Sequence, residues 1–168
     1  MLFSCKSDIE VINTITSKNE FPSIASKNIE IIYSDTAKIQ IKAISPELNR
    51  FLEIEEPYTE FPKGITVFFY NPDQKIESKI VANYAIFYES QDLWEVKNNV
   101  IATNNKGEIL NTEQLFWNQK ERLVYSNKFV KITTENQILF GEGFESNQNF
   151  SEWKIKKLKG TIFLKDEK

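Results

Sequence analysis

Acid–base and nucleophilic catalysis in water most often begin from a histidine, an activated cysteine or a pair of converging carboxylates. This 168-residue chain contains no histidine and a single cysteine, Cys5. It therefore lacks the commonest general base and the commonest metal ligand, and one cysteine makes neither an internal disulfide nor a thiolate metal site. The densest acidic group is Glu53, Glu55 and Glu56. A carboxylate pair can cleave a glycosidic bond, but these three sit just before Pro57 and read as a solvated acidic loop. There is no glycine-rich phosphate loop, and the regular Asp/Asn spacing of a calcium loop is absent. The expectation is a protein that is not an enzyme and that uses no metal and no cofactor.

The elements around those residues favour burial over chemistry. Apolar residues make up 40% of the chain and charged residues 27%, a globular composition. Aromatic residues reach 13%, including 13 Phe, which favours strands and apolar grooves. The formal net charge is −3 with no long run of either sign, so the clustered basic face of a nucleic-acid binder is missing. No stretch approaches the roughly 20 apolar residues of a membrane span.

The C-terminal half repeats. Segments beginning at Ile80, Ile109 and Ile138 start 29 residues apart, and each opens on an apolar pair. Polar turns fall at residues 89–92, 118–121 and 146–149, and again at 104–107 and 133–136. A fixed period of strand, turn, strand, turn predicts a stacked or meandering all-β domain. Within it Ile65, Val67 and Phe69 share one strand face, as do Trp94 with Val96, Val130 with Ile132, and Phe140 with Phe144. Residues 29–33 and 38–44 read as two further strands joined by Ser34-Asp35-Thr36. Residues 8–17 read as a short helical turn, and Ser45-Pro46-Glu47 as a helix start, with Ser as cap and Pro in the first turn.

Two features of such a sheet invite binding. The recurring apolar side chains either fill a core or line a groove that accepts an acyl chain. The two ends of a stack of strands are open edges, at Ile29, Ile31 and Tyr33 on one side and Thr161, Ile162 and Phe163 on the other, and edges accept strand addition by partners. At the start of the chain, Leu2-Phe3-Ser4-Cys5 resembles a bacterial lipobox, in which Cys5 would be lipidated and hold the domain at a membrane surface.

The ordered series Tyr33-Ser34-Asp35, residues 39–43, Glu60-Phe61-Pro62-Lys63-Gly64-Ile65-Thr66-Val67, Ala82 with Tyr84-Ala85, residues 94–100, 107–110, Leu115-Phe116-Trp117-Asn118, 138–144 and Gly160-Thr161-Ile162 resembles the LptC family of lipopolysaccharide export. The resemblance runs from about Asn28 to the end of the chain and is similar to the form found in Bacteroidetes. It implies a twisted, partly open β jelly roll of the OstA-like type over residues 28–168, preceded by a tether over residues 1–27. It implies a periplasmic protein anchored to the inner membrane, either through Cys5 or through a spanning helix as in other members. Lipopolysaccharide would be received from an inner-membrane ABC transporter and passed to a periplasmic LptA-like bridge. The lipid A acyl chains would lie among the inward-facing Val67, Phe69, Trp94, Val96, Tyr125, Val130, Ile132 and Phe144. A bulge expected between residues 94–100 and 123–130 puts the face of the second segment in question. Two other readings compete: an envelope scaffolding lipoprotein with a closed β core and no groove, and a hydrolase built on the acidic cluster.

Overall fold

A computed structural model describes residues 21–164. Eleven strands form one antiparallel sheet: β1 (Ile24–Asp35), β2 (Lys38–Phe51), β3 (Tyr58–Phe61), β4 (Ile65–Tyr70), β5 (Ile76–Ala82), β6 (Tyr84–Tyr88), β7 (Leu93–Asn104), β8 (Ile109–Asn118), β9 (Leu123–Thr133), β10 (Gln137–Asn147) and β11 (Trp153–Phe163). The sole helical element among the described residues is a 3₁₀ turn at Glu89–Gln91. The domain is all-β, as its alternating patterns and polar turns predict. Cys5, Leu2 to Ser4 and the helical turn expected at residues 8–17 lie outside the described residues.

The topology is a meander of long, bent strands. β3 and β4 act as one strand broken at Pro62-Lys63-Gly64, and β5 and β6 as one broken at Asn83. Accordingly β2 pairs with β4 near Ala43 and with β3 near Arg50, and β7 pairs with β5 near Ala102 and with β6 near Trp94. Each long strand kinks near its middle. In β7 the kink is Asn98-Asn99, both with φ near +60°, where the register with β8 shifts. In β8 and β9 it lies between Thr112 and Phe116, and in β10 at Gly143, φ +76°. A bulge bends a strand and re-aims its side chains. A row of bulges across neighbouring strands therefore folds the sheet along a line. Its halves face each other, as the ring contact of Phe69 on β4 with Trp117 on β8 shows, with centroids 5.2 Å apart.

The helix start expected at Ser45-Pro46-Glu47 is instead the bend of β2. Pro46, which has no N–H to donate, falls where β2 changes partner from β4 to β3, and Asn28 opposite it takes φ +51°. The Ser45 hydroxyl, expected as a helix cap, donates to the Gly64 carbonyl at 2.7 Å and pins the corner.

The 29-residue period corresponds to one long hairpin: β8–β9 is one repeat and β10–β11 the next. The turn after β10 is displaced slightly, since that strand runs to Asn147. It then crosses the open side of the fold. Phe150 is buried against Phe144, with ring centroids 6.2 Å apart. The Phe150 carbonyl accepts from Asn104 Nδ2 at 2.9 Å, and Lys106 Nζ donates to the Ser151 carbonyl at 3.3 Å.

Candidate functional site

Between the two halves, at the β1 end, lies a cavity of about 190 Å³. Strict alternation in β4 buries Ile65, Val67 and Phe69 together, and Val67 and Phe69 form one wall with Ile41, Ala43 and Ile80. Phe87, Trp94, Val96, Leu115 and Trp117 from the other half face them. Phe116, Gln119 and, from β1, Ile31 and Tyr33 also line it, the last two staying 40% and 60% exposed. Its aromatic members pack on one another, Phe87 on Trp94 at 4.8 Å and Trp94 on Trp117 at 6.4 Å between centroids, and the buried Phe61 stacks on Trp94 at 5.5 Å.

The cavity continues into a polar mouth of about 450 Å³ along the open side of the fold. The two share Tyr33, Ile41, Phe69, Trp117 and Gln119. Asp35, Gln40 and Glu77 border the mouth on one rim, and Asp92, Lys120, Arg122 and Asn149 on the other. Lys120 is paired with Asp92 at 3.1 Å. An apolar floor beneath a charged rim is the arrangement that suits an amphiphile, with its chain inside and its head in water. A dry apolar cavity of about 150 Å³ accepts a molecule the size of benzene, so this space is large enough for a short length of one hydrocarbon chain.

The C-terminal half differs. Val130, Ile132 and Phe144 point inward as expected but are at most 2% exposed. Ile132 and Phe144 pack with Leu110, Phe150 and Trp153 around a space of only about 10 Å³, and Val130 lies in the same core cluster. Of the eight residues expected inside, Val67, Phe69, Trp94 and Val96 line the cavity, and these three fill a core. Tyr125 is a correction. It stacks on Phe116 on the outer face, 5.1 Å between centroids, while Val124 and Ser126 turn inward. The one-residue bulge in β9 carries the face over, as the shifted pattern in the sequence foreshadowed. Phe140 and Phe144 likewise do not share a face. The register shift between Glu142 and Phe144 puts Gly141 on the inner side with Phe144, and Phe140 stacks outside on Phe129.

The expected edges are the terminal strands. Among the described residues β1 pairs with β2 alone and β11 with β10 alone, leaving Ile31, Tyr33, Ile162 and Phe163 exposed. Glu53, Glu55 and Glu56 lie exposed in the loop after β2 and converge on nothing that could act as acid or base.

A buried carboxylate that the sequence did not single out sits on the outer face. Glu95, 5% exposed, accepts from Tyr88 Oη at 2.9 Å, from Lys97 Nζ at 3.0 Å and from Gln114 Nε2. Burial pushes its carboxyl up, and the donors from Lys97, Gln114 and Tyr88 outweigh this and hold it below the ordinary carboxylate value. Burial and the bond to Glu95 push the Tyr88 hydroxyl up to about 12. The cluster joins β6, β7 and β8 and faces away from the cavity.

Compared with known protein families, residues 2–161 match the family described as Lipopolysaccharide-assembly, LptC-related. The chain belongs to the LptC family. That match spans nearly all of the chain, and it joins a folded antiparallel sheet of LptC type to a role in lipopolysaccharide transport. The family is one of transport and binding rather than catalysis. Its members are periplasmic components associated with the inner membrane; among the described residues no helix is long and apolar enough to cross one. No curated protein matches the chain.

Proposed function

We propose that this LptC-family chain binds lipopolysaccharide by an acyl chain in the cavity between the sheet halves and passes it on without altering it. The observation that carries the reading is the continuity of an apolar cavity, walled by Val67, Phe69, Trp94 and Val96, with a charged mouth at the rim. The lipid would arrive at the β1 edge from an inner-membrane ABC transporter and leave at the β11 edge for a periplasmic LptA-like bridge. The edges suit such docking unequally. β1 offers exposed Ile31, Ile32 and Tyr33, whereas β11 carries Lys154, Lys156, Lys157 and Lys159, and lysines on an edge suppress indiscriminate strand pairing. Lipidation of Cys5, with residues 1–27 as tether, would hold the domain of residues 28–168 at the inner membrane.

A photocrosslinking residue at Val67 should capture lipopolysaccharide while the transporter hydrolyses ATP, and one at Glu95, on the outer face, should not. Capture at Glu95 alone would remove the reading. The packed C-terminal half favours a second reading, a scaffold with a closed core, and absence of capture at Val67 with the fold intact would favour it.

A further inference from the structure

The turn between β10 and β11 holds its own shape. Asn147 Oδ1 accepts from the Ser151 amide at 3.0 Å, and Asn147 Nδ2 donates to Ser151 Oγ at 2.9 Å. The Asn147 carbonyl accepts from the Phe150 amide at 3.1 Å, and Ser151 Oγ donates to Asn149 Oδ1 at 2.9 Å. None of these bonds reaches another element, so the turn keeps them wherever it lies. Its ties across the open side are of a different kind. Asn149 Nδ2 donates to Glu77 Oε1 at 3.0 Å, Asn104 Nδ2 to the Phe150 carbonyl at 2.9 Å, and Lys106 Nζ to the Ser151 carbonyl at 3.3 Å. Glu77 is half-buried and Lys106 exposed, so water can take the place of the turn at both. Asn104 Nδ2 also donates to Glu108 Oε2 at 2.7 Å and keeps that partner if the turn lifts.

What remains is one ring. Phe150 is the single apolar residue of Asn147-Gln148-Asn149-Phe150-Ser151-Glu152. It is 4% exposed and borders, with Ala102, Leu110, Ile132 and Phe144, the small space in the C-terminal half. Its φ of +56° is a conformation that a bulky residue adopts only under restraint, and release relieves that strain. Its neighbours Gln148 and Asn149 border the polar mouth. We infer that this turn is a gate, latched by Phe150, which opens and closes over the C-terminal half while the sheet stays folded. Segments held by few buried apolar contacts open separately from the whole domain. Open, the gate joins the space that Phe150 vacates to the mouth. Closed, it leaves the packed core of this structure. The sealed half and an open trough are then two states of one domain. The inference stands on the contacts of the turn and goes beyond the lipid-binding reading, which needs only the N-terminal cavity.

The test places single cysteines in the full chain, with Cys5→Ser removing the one other thiol. Leu110→Cys and Ile132→Cys lie under the turn, at 4% and 2% exposure. Two positions guard against loss of fold at either. Ile65→Cys is the control: the residue is 3% exposed and borders neither the cavity, the mouth nor the space under Phe150. Labelling by iodoacetamide is followed by mass spectrometry at low urea concentrations. At Leu110→Cys and Ile132→Cys it should be at least about tenfold faster than at Ile65→Cys and barely change with urea, as local opening does. Only the Ile65→Cys rate should climb steeply with urea, as global unfolding does. Adding Asn149→Ala should speed both gated positions by about three- to tenfold, the share of one net hydrogen bond, and leave Ile65→Cys unchanged. Labelling under the turn as slow and as urea-dependent as at Ile65→Cys would overturn the gate. So would an equal rise at all three positions with Asn149→Ala. The rates are measured without lipid, so failure here leaves lipid binding in the N-terminal cavity standing.

Discussion

Asn149 donates from Nδ2 to Glu77 Oε1 at 3.0 Å, joining residues 72 positions apart. One belongs to the turn between β10 and β11 and the other to the start of β5, on the opposite rim of the folded sheet. Together with Phe150 this contact makes the turn a strap across the open side, and the strap separates the open N-terminal half from the packed C-terminal half.

Phe150 should therefore carry much of the stability of the C-terminal half. It is 4% exposed and stacks on Phe144. Phe150→Ala should cost about 3 kcal/mol from lost burial and the cavity left behind, read from urea unfolding. Phe150 also has φ +56°, a region that glycine occupies without strain. Phe150→Gly should then be no less stable than Phe150→Ala, although glycine ordinarily costs more. A glycine variant clearly below the alanine variant would show that the strained backbone of the strap is not kept.

Filling the cavity should separate stability from binding. Ala43 and Val67 lie opposite each other on β2 and β4 and both line the space. Val67→Phe puts added carbon into a void rather than into a packed core. Stability should hold or rise by up to about 1 kcal/mol, while lipopolysaccharide capture from a crosslinker at Trp94 should fall at least tenfold. The same enlargement at Val130, which is fully buried in the packed half, should instead destabilise by about 1–3 kcal/mol.

How far these sites were legible depends on where the bulges fall. Val67 and Phe69 were readable because β4 is short and unbroken, so a period of two reaches from end to end. Tyr125 and Phe140 were misplaced because a bulge in β9 and another in β10 intervene between them and the residues they were aligned with. A bulge is set by neighbouring strands as much as by its own residues, and Asn98-Asn99 and Gly143 are its only local traces. Pro46 read as a helix start because Ser-Pro-Glu has that local preference, and the pairing of β1 with β2 on either side of it, Ile29 with Ser45 and Lys27 with Glu47, overrode it. The strap was hidden in a turn rich in Asn and Ser, where a lone Phe150 carries no periodicity. The Glu95 cluster and the stacking of Trp94 on Trp117 depend on the register of β7 against β8, which pairs these two tryptophans and which no local pattern specifies.

The corner glycine of β10 should be hard to replace. A Cβ on Gly143 would lie 2.9 Å from Lys156 Cδ, at φ +76°. Gly143→Ala should destabilise by about 1–2 kcal/mol, chiefly through the backbone. Gly160 on β11 has nothing within 4 Å of such a Cβ. Gly160→Ala should stay within about 0.5 kcal/mol of the parent. Thermal unfolding of the two variants side by side checks the contrast.

The Glu95–Tyr88 pair should bound the pH range of full stability on both sides. The folded-state pKa of Glu95 lies below its ordinary value of 4.5. Its contribution is therefore present above about pH 4.5 and is lost as pH falls through the lowered folded value. Glu89, held down by its hydrogen bonds from Arg50 at 2.7 and 2.9 Å, acts in the same direction. Tyr88 is raised from 10.0 to about 12. Its contribution is present below pH 10 and is lost as pH rises towards about 12. Urea unfolding across pH should show a plateau that falls off at both ends. Glu95→Gln should lower the plateau by about 1–3 kcal/mol, because it leaves Lys97 without its anion and one acceptor oxygen replaced by a donor. Tyr88→Phe should lower it by about 1 kcal/mol and flatten the alkaline fall, since the group that must ionise there is gone. An alkaline fall as steep in Tyr88→Phe as in the parent would assign it to other groups. Tyr84, raised by burial and by its bond to Glu60, would be the next to test.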